Sequence, residues 1–284
     1  MPNLAIAPVM NPENEDPAKW LLFLHGILGS GSNWRTFARQ IVGAKKEASI
    51  PRPATDWGAL LVDLRLHGDS TGFEPPHTLA TSAADIVPAL AGRKTRALVG
   101  HSFGGKVGIA LAGLLADSEN GPLDHLFVID STPSARADGR GSSGVRDIVE
   151  LLTQLPEEFA DRAEFQRWIE GHGVSRPTAM WLAMNVRPDA TGRYVFRMDI
   201  ASVRTMMDDY FAQDLWSVIE NPPGNMQTHI IAGGRSEVVD KDDLERAGAA
   251  RQCTVDVIPD AGHWVHVDAP ETLRGLVLKY LSGL

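Results

Sequence analysis

The sequence predicts an α/β fold: a mostly parallel sheet covered on both faces by helices, with a helical segment inserted near its middle. Three observations predict it. Short apolar runs of strand length recur along the chain. Most of them are apolar on successive rather than alternate residues, which suits strands covered on both faces. Stretches with helical patterning separate them, as a parallel sheet requires. The runs are WLLFLHG (20–26), ALLVDL (59–64), TRALVG (95–100), HLFVID (125–130), THIIAG (228–233) and TVDVIP (254–259). The helical stretches are 33–42, 78–91, 104–116 and 241–250, and ETLRGLVLKYLSGL (271–284) reads as a closing amphipathic helix. No internal repeat of solenoid length is visible.

Composition narrows the partners. The 284 residues carry 27 Lys plus Arg against 36 Asp plus Glu, a formal net charge of −9. That balance argues against a nucleic-acid backbone, because phosphates need a basic surface. The length supports one large domain or two small ones. One cysteine, Cys253, removes any intramolecular disulfide framework, and its place at a strand start suggests packing as a small hydrophobe. No run of about 18 apolar residues exists, so no membrane-spanning helix is expected. The opening MPNLAIAPVMNPENEDP lacks a basic segment followed by a long apolar core. The expected compartment is therefore the cytoplasm.

The alternation breaks after Asp130, and no buried strand is expected until about Thr228. Residues 135–145 read as a loop. From Val145 to about Glu220 the pattern is helical and rich in large side chains. Asn221-Pro222-Pro223-Gly224 marks the return to the sheet. The expected organisation is a core of residues 1–133 and 224–284 with a helical cap insertion over 134–223. So small an insertion cannot bury all its large groups alone. Trp168, Trp181, Met184, Met206 and Tyr210 are therefore candidates for a ligand pocket, with His25, Leu28 and Trp264 from the core.

The strongest local signal is Gly100-His101-Ser102-Phe103-Gly104, a G-x-S-x-G run between a buried strand and a small-residue helix. Such a turn is tight and strained, and the flanking glycines let chains pass without Cβ clashes. It lifts the serine Oγ above the sheet edge, where the helix N-terminus favours developing negative charge. Ser102 is the candidate nucleophile. Acyl transfer also needs donors for the forming oxyanion. The amide of Phe103 supplies one. The turn after His25-Gly26 supplies the second, assigned to Ile27, with Leu28 as the other choice. His25 itself reads as a loop brace rather than a base.

A serine nucleophile needs a histidine base, neutral near pH 7 and on an anchored loop. His263, in Gly262-His263-Trp264 after the last strand, fits, and His266 competes with it. His67, His77, His101, His125, His172 and His229 fall in helices, strands or remote turns. The order serine, acid, histidine leaves the acid between Ser102 and His263. Asp130 ends a strand and is held more rigidly than a loop acid, so it is favoured over Glu237. Ser236 cannot hold an imidazolium charge but can hydrogen-bond the acid or the histidine. Asp63 and Arg65, leaving the second strand, read as an ion pair bracing the nearby loops. No metal-ligand spacing, Walker A run or dinucleotide fingerprint appears, so neither a metal nor a phosphate cofactor is expected.

Together HGILGSGSNW, DLRLHGDS, GHSFGGK, VIDSTP and GGRSEVV resemble the α/β-hydrolase superfamily, and more narrowly the YbfF-type bacterial carboxylesterases. The resemblance runs from about Trp20 to the final histidine and is weakest in the cap. It implies an α/β-hydrolase fold and cofactor-free hydrolysis of small acyl esters or thioesters, with a small-molecule ester as the partner. It also implies an acid on the strand after the nucleophile helix, which is Asp130, and a serine tolerated in the later turn, which is Ser236. The substrate does not transfer, because the cap varies and this one is long. Ser102 argues against haloalkane dehalogenation and epoxide opening, which use an aspartate there. Perhydrolase or haloperoxidase chemistry and carbon–carbon bond hydrolysis stay open with the same triad. A non-catalytic ligand binder and an interaction protein docking through its insertion are the remaining readings.

Overall fold

Runs apolar on successive residues place large groups on both faces of a strand, so each strand needs cover on both sides. The computed structural model describes residues 2–43, 54–136, 138, 141 and 143–282. The chain begins β1 (Ile6–Val9), β2 (Lys19–Leu24), α1 (Arg35–Ile41), β3 (Trp57–Val62), α2 (Leu79–Ala84), β4 (Thr95–His101), α3 (Phe103–Leu115) and β5 (His125–Ile129). It continues α4 (Ser143–Leu152), α5 (Arg162–Gly171), α6 (Arg176–Leu182), β6 (Val186–Pro188), β7 (Tyr194–Phe196), α7 (Ile200–Ala212) and α8 (Trp216–Glu220). It closes with β8 (Gln227–Gly233), α9 (Lys241–Ala249), β9 (Cys253–Ile258), α10 (Val265–Asp268) and α11 (Pro270–Leu281).

Seven strands form one sheet in the order β1-β3-β2-β4-β5-β8-β9. All neighbours are parallel except β1, which runs antiparallel to β3. Successive residues divide between two cores. Leu22, Leu24, Leu60, Val62, Leu98 and Val128 pack with Val107 and Leu111 of α3. Leu21, Phe23, Leu61, Val99, Phe127 and Ile129 pack with Phe37 of α1 and Val277 of α11. Each such side chain contributes about 1.5–3 kcal/mol by leaving water. After β2 the chain crosses to β3 on one side, and β4 then pairs on the other side of β2. Ligands of open α/β sheets bind beyond the strands' carboxyl ends at such a reversal.

Several expectations need correction. β1 was not foreseen: it is four residues long, contains Pro8 and pairs only at the sheet edge. The 78–91 helix is interrupted, with α2 ending at Ala84 and a 3₁₀ turn over Val87–Leu90. Pro88 has no N–H to continue the ladder. The stretch from Val145 to Glu220 is not helical throughout, because β6 and β7 form a small antiparallel hairpin within it. Residues 137, 139, 140 and 142 of the loop expected over 135–145, and 283–284 of the closing helix, lie outside the described residues. Among the described residues, no helix is long and apolar enough to cross a membrane.

Candidate active site

Ser102 sits between β4 and α3 with φ 53° and ψ −121°. Left-handed backbone costs a side-chain-bearing residue about 1–3 kcal/mol, so the surroundings must hold it. The Ser102 amide donates to the Ile129 carbonyl at 3.0 Å. A Cβ on Gly100 would stand 2.3 Å from the Gly104 carbonyl oxygen, and one on Gly104 would stand 2.4 Å from that of His25. Only glycine allows this approach of helix to sheet. Phe103 opens α3, so its amide has no acceptor inside the helix.

Asp130 follows β5 at φ 43° and is fully buried. Its carboxylate accepts three hydrogen bonds: from His263 Nδ1 at 2.7 Å, Ser236 Oγ at 2.5 Å and the Gly233 amide at 2.9 Å. With Nδ1 donating, Nε2 of His263 is left as an acceptor. The His263 loop is pinned twice more. His101 Nε2 donates to the His263 carbonyl at 2.8 Å, and the Gly262 amide donates to Asp268 Oδ2 at 2.8 Å. Burial holds the His101 ring well below its ordinary titration range, and burial lowers His266 to about 4. His266 packs against Trp34 with ring centroids 4.7 Å apart, whereas His263 lines the same cavity as Ser102. Glu237 is exposed and lines that cavity, while the His263 Nδ1 bond goes to Asp130.

The turn after β2 is closed by the Gly29 amide donating to the Gly26 carbonyl at 3.0 Å. His25 Nδ1 donates to the same carbonyl at 2.7 Å, and its Nε2 accepts the Leu64 amide at 3.0 Å. The Gly26 carbonyl shares a planar trans peptide with the Ile27 amide, so fixing one aims the other. The Leu28 amide is occupied: it donates to His67 Nε2 at 3.0 Å, while His67 Nδ1 donates to the Arg65 carbonyl at 2.8 Å. Ile27 is therefore the freer donor of the two.

Both rings must stay neutral to accept these amides. Burial lowers His25 to about 4 and His67 to about 3. In the unfolded chain each titrates near 6.5, so below that pH the unfolded chain takes up protons that the folded chain refuses. Stability therefore falls as pH drops from about 6.5 toward 4, by about 1.4 kcal/mol per pH unit for each histidine. The urea midpoint is expected to drop steeply between about pH 6.5 and pH 4.5. A flat midpoint over that range would show that these rings are not buried as neutral acceptors.

The cavity has a volume of about 430 Å³. Leu28, Trp181, Tyr210 and Trp264 line it, as do Val145, Ile148, Met207, Phe211, Arg136 and Arg235. Four residues expected there lie elsewhere. His25 is spent on the turn. Met206 is fully buried in the core, and Trp168 packs against His172 with ring centroids 4.0 Å apart. Met184 faces outward at 47% exposure. For Met206 helical phase explains this, since it and the cavity-lining Met207 are successive residues of α7 and point to different sides. The Asp63–Arg65 pair also needs correction. Arg65 pairs with Asp85, Nε to Oδ2 at 2.7 Å, while Asp63 accepts the amides of Gly31 and Asp69. Sequence reasoning missed Lys106, which is fully buried and donates to the carbonyls of Ser134 at 2.8 Å and Tyr210 at 2.7 Å. Burial lowers it to about 8. A lone lysine in the small apolar run GGKVGIALAG was the available signal.

Residues 21–275 match the alpha/beta hydrolase family, and the chain belongs to it. Among curated relatives, the sn-1-specific diacylglycerol lipase ABHD11 of Danio rerio is 26% identical over 269 residues, covering 92% of this chain and 78% of that protein. Esterase YbfF of Escherichia coli is 25% identical over 288 residues, covering 99% and 98%. Among solved structures, a marine microorganism esterase superposes with a TM-score of 0.81 at 20% identity, covering 98% of this chain and 99% of that one.

Proposed function

We propose that this enzyme hydrolyses small carboxylic esters through an acyl-enzyme on Ser102. The observation that carries the reading is the His263 Nδ1 to Asp130 bond of 2.7 Å, set on the cavity that Ser102 also lines. His263 Nε2 removes the Ser102 proton as Oγ attacks the ester carbonyl. Asp130 holds the tautomer and stabilises the imidazolium. The Ile27 and Phe103 amides take the oxyanion, each contributing roughly 3–4 kcal/mol of transition-state stabilisation. The tetrahedral adduct collapses and His263 protonates the departing alcohol. Water then repeats the cycle on the acyl group, releasing the acid and restoring the Ser102 proton. Side chains, two backbone amides and water supply every step.

In this reading residues 134–223 form a cap over a core of 1–133 and 224–284. Val145, Ile148, Trp181 and Met207 give the cavity an apolar cap wall suited to the acyl or alcohol part. The names of the esterase and lipase relatives support ester chemistry. Thioesters extend the same mechanism, since thiolate leaves more readily than alkoxide. A panel of p-nitrophenyl esters varying in acyl length tests the proposal, together with labelling by a fluorophosphonate probe. Short acyl esters are expected to turn over faster than palmitoyl esters, with one label per chain on Ser102. A folded protein with neither turnover nor labelling would overturn it.

A further inference from the structure

Leu28 poses a question that the catalytic cycle leaves open. It has φ 63° and is almost fully buried, at the third position of the turn closed by Gly29 on Gly26. Turns of that shape place glycine or asparagine there, because a side chain disfavours left-handed backbone. Something outside the turn must keep Leu28 in place. Two contacts do so. The first is His67 on its amide. The second comes from 157 residues away, where Asn185 Nδ2 donates to the Leu28 carbonyl at 2.8 Å.

Asn185 is buried, and it ends the 3₁₀ turn Ala183–Asn185 that directly follows α6. Its own carbonyl accepts the Arg197 amide at 3.0 Å, which anchors it to the residue directly after β7. Trp181 stands four residues earlier, a spacing that puts two side chains on one helical face. The Trp181 ring meets Trp264 edge-on at a centroid distance of 4.7 Å. One short piece of the cap thus touches the neighbour of each reacting group: Trp264 beside His263, and Leu28 beside Ile27. Thr178 and Trp181 of the same piece wall the cavity.

We infer that Asn185 is a positioning residue for ester hydrolysis: through the Leu28 carbonyl, the cap holds the oxyanion turn with the Ile27 amide facing the reacting carbonyl. The inference rests on the reading of Ile27 as an oxyanion donor. Without this bond the turn relaxes toward ordinary backbone at Leu28, and the Ile27 amide swings off the oxyanion. The defect falls on the transition state, where charge develops, and not on the bound ester. Cap and chemistry are thereby linked, so a substrate that displaces α6 loses rate as well as affinity.

The test compares wild type with Asn185→Ala and Asn185→Asp on a short p-nitrophenyl ester. The aspartate keeps the volume and removes the donor. Both are expected to lose about 10- to 50-fold in kcat, a fraction of what deleting a whole oxyanion donor costs, with KM changed less than about threefold. The inhibition constant of a boronic acid transition-state analogue should rise by the same factor as kcat falls. Leu28→Gly separates positioning from general damage, because glycine adopts φ 63° without help. In that background Asn185→Ala should cost clearly less in kcat. Equal losses in both backgrounds, or a change confined to KM, would overturn the inference even with a working enzyme. Failure of the wild type to label with fluorophosphonate would remove the hydrolase reading itself, and this inference with it.

Discussion

Ser102→Ala is expected to lower kcat on a short ester by about 10⁶-fold and to abolish fluorophosphonate labelling, while KM stays near the wild-type value. The reason is that the other described hydroxyls on the cavity wall are engaged: Ser236 with Asp130, Tyr210 with Ser131, Thr178 with Ser175 and Thr132 with the Ser134 amide. Beside Ser102 the wall offers the Phe103 amide and the apolar faces of Leu28, Trp181 and Trp264. They bind and polarise an ester but form no covalent bond. A residual acceleration of about 10³–10⁴-fold over water should persist from binding and the oxyanion donors alone. The substitution is also expected to leave folding intact, since alanine keeps the Cβ and loses only a hydroxyl. Equal kcat in wild type and variant would remove Ser102 from the reaction.

The second large effect concerns the acid. Asp130→Asn should lower kcat by about 10⁴-fold with little change in fold, because an amide forces the wrong tautomer on its histidine partner. Asp130 accepts from three donors at once: the His263 ring, the Ser236 hydroxyl and the Gly233 amide. Asparagine has one accepting oxygen and a donating NH₂. If the oxygen keeps Gly233, the NH₂ donates to His263 Nδ1, which becomes the acceptor and leaves the ring proton on Nε2. The base then has no lone pair toward Ser102. Glu237→Gln should change kcat far less, since the His263 Nδ1 bond goes to Asp130. If Glu237→Gln were the crippled variant, the acid would be assigned to the wrong strand. Measuring kcat for both variants across pH separates the two outcomes.

Much of this arrangement was legible in the chain because local patterns carry it. Short apolar runs, most of them apolar on both faces, identified six of the seven sheet strands. The exception, β1, is short and pairs at an edge, so its burial pattern is weak. Order and spacing pointed to the Gly100–Gly104 run and to His263, while Asp130 was favoured over Glu237 as the acid at a strand's end, and the fold bonds it to His263 Nδ1. Pocket membership could not. Trp181 and Met184 lie three residues apart, yet one walls the cavity and the other faces outward at 47% exposure. Only the packing of α6 on the core decides between them. Arg65 likewise had Asp63 two residues away and chose Asp85, because the turn after β3 gave Asp63 to backbone amides.

What the sequence determined by itself is the alternation of six sheet strands with helices and the residues at the carboxyl ends of β2, β4 and β5. Hydrophobic period and glycine placement are properties of neighbours along the chain, and neighbours suffice to read them. What only the tertiary structure decided is how distant groups meet. It bonded Asn185 to Leu28, Lys106 to Tyr210 and His101 to the carbonyl of His263. Each of those bonds joins segments 104 to 162 residues apart. No local propensity encodes such a bond. It forms because a buried donor or acceptor must find a partner, and the packed fold determines which one is within reach.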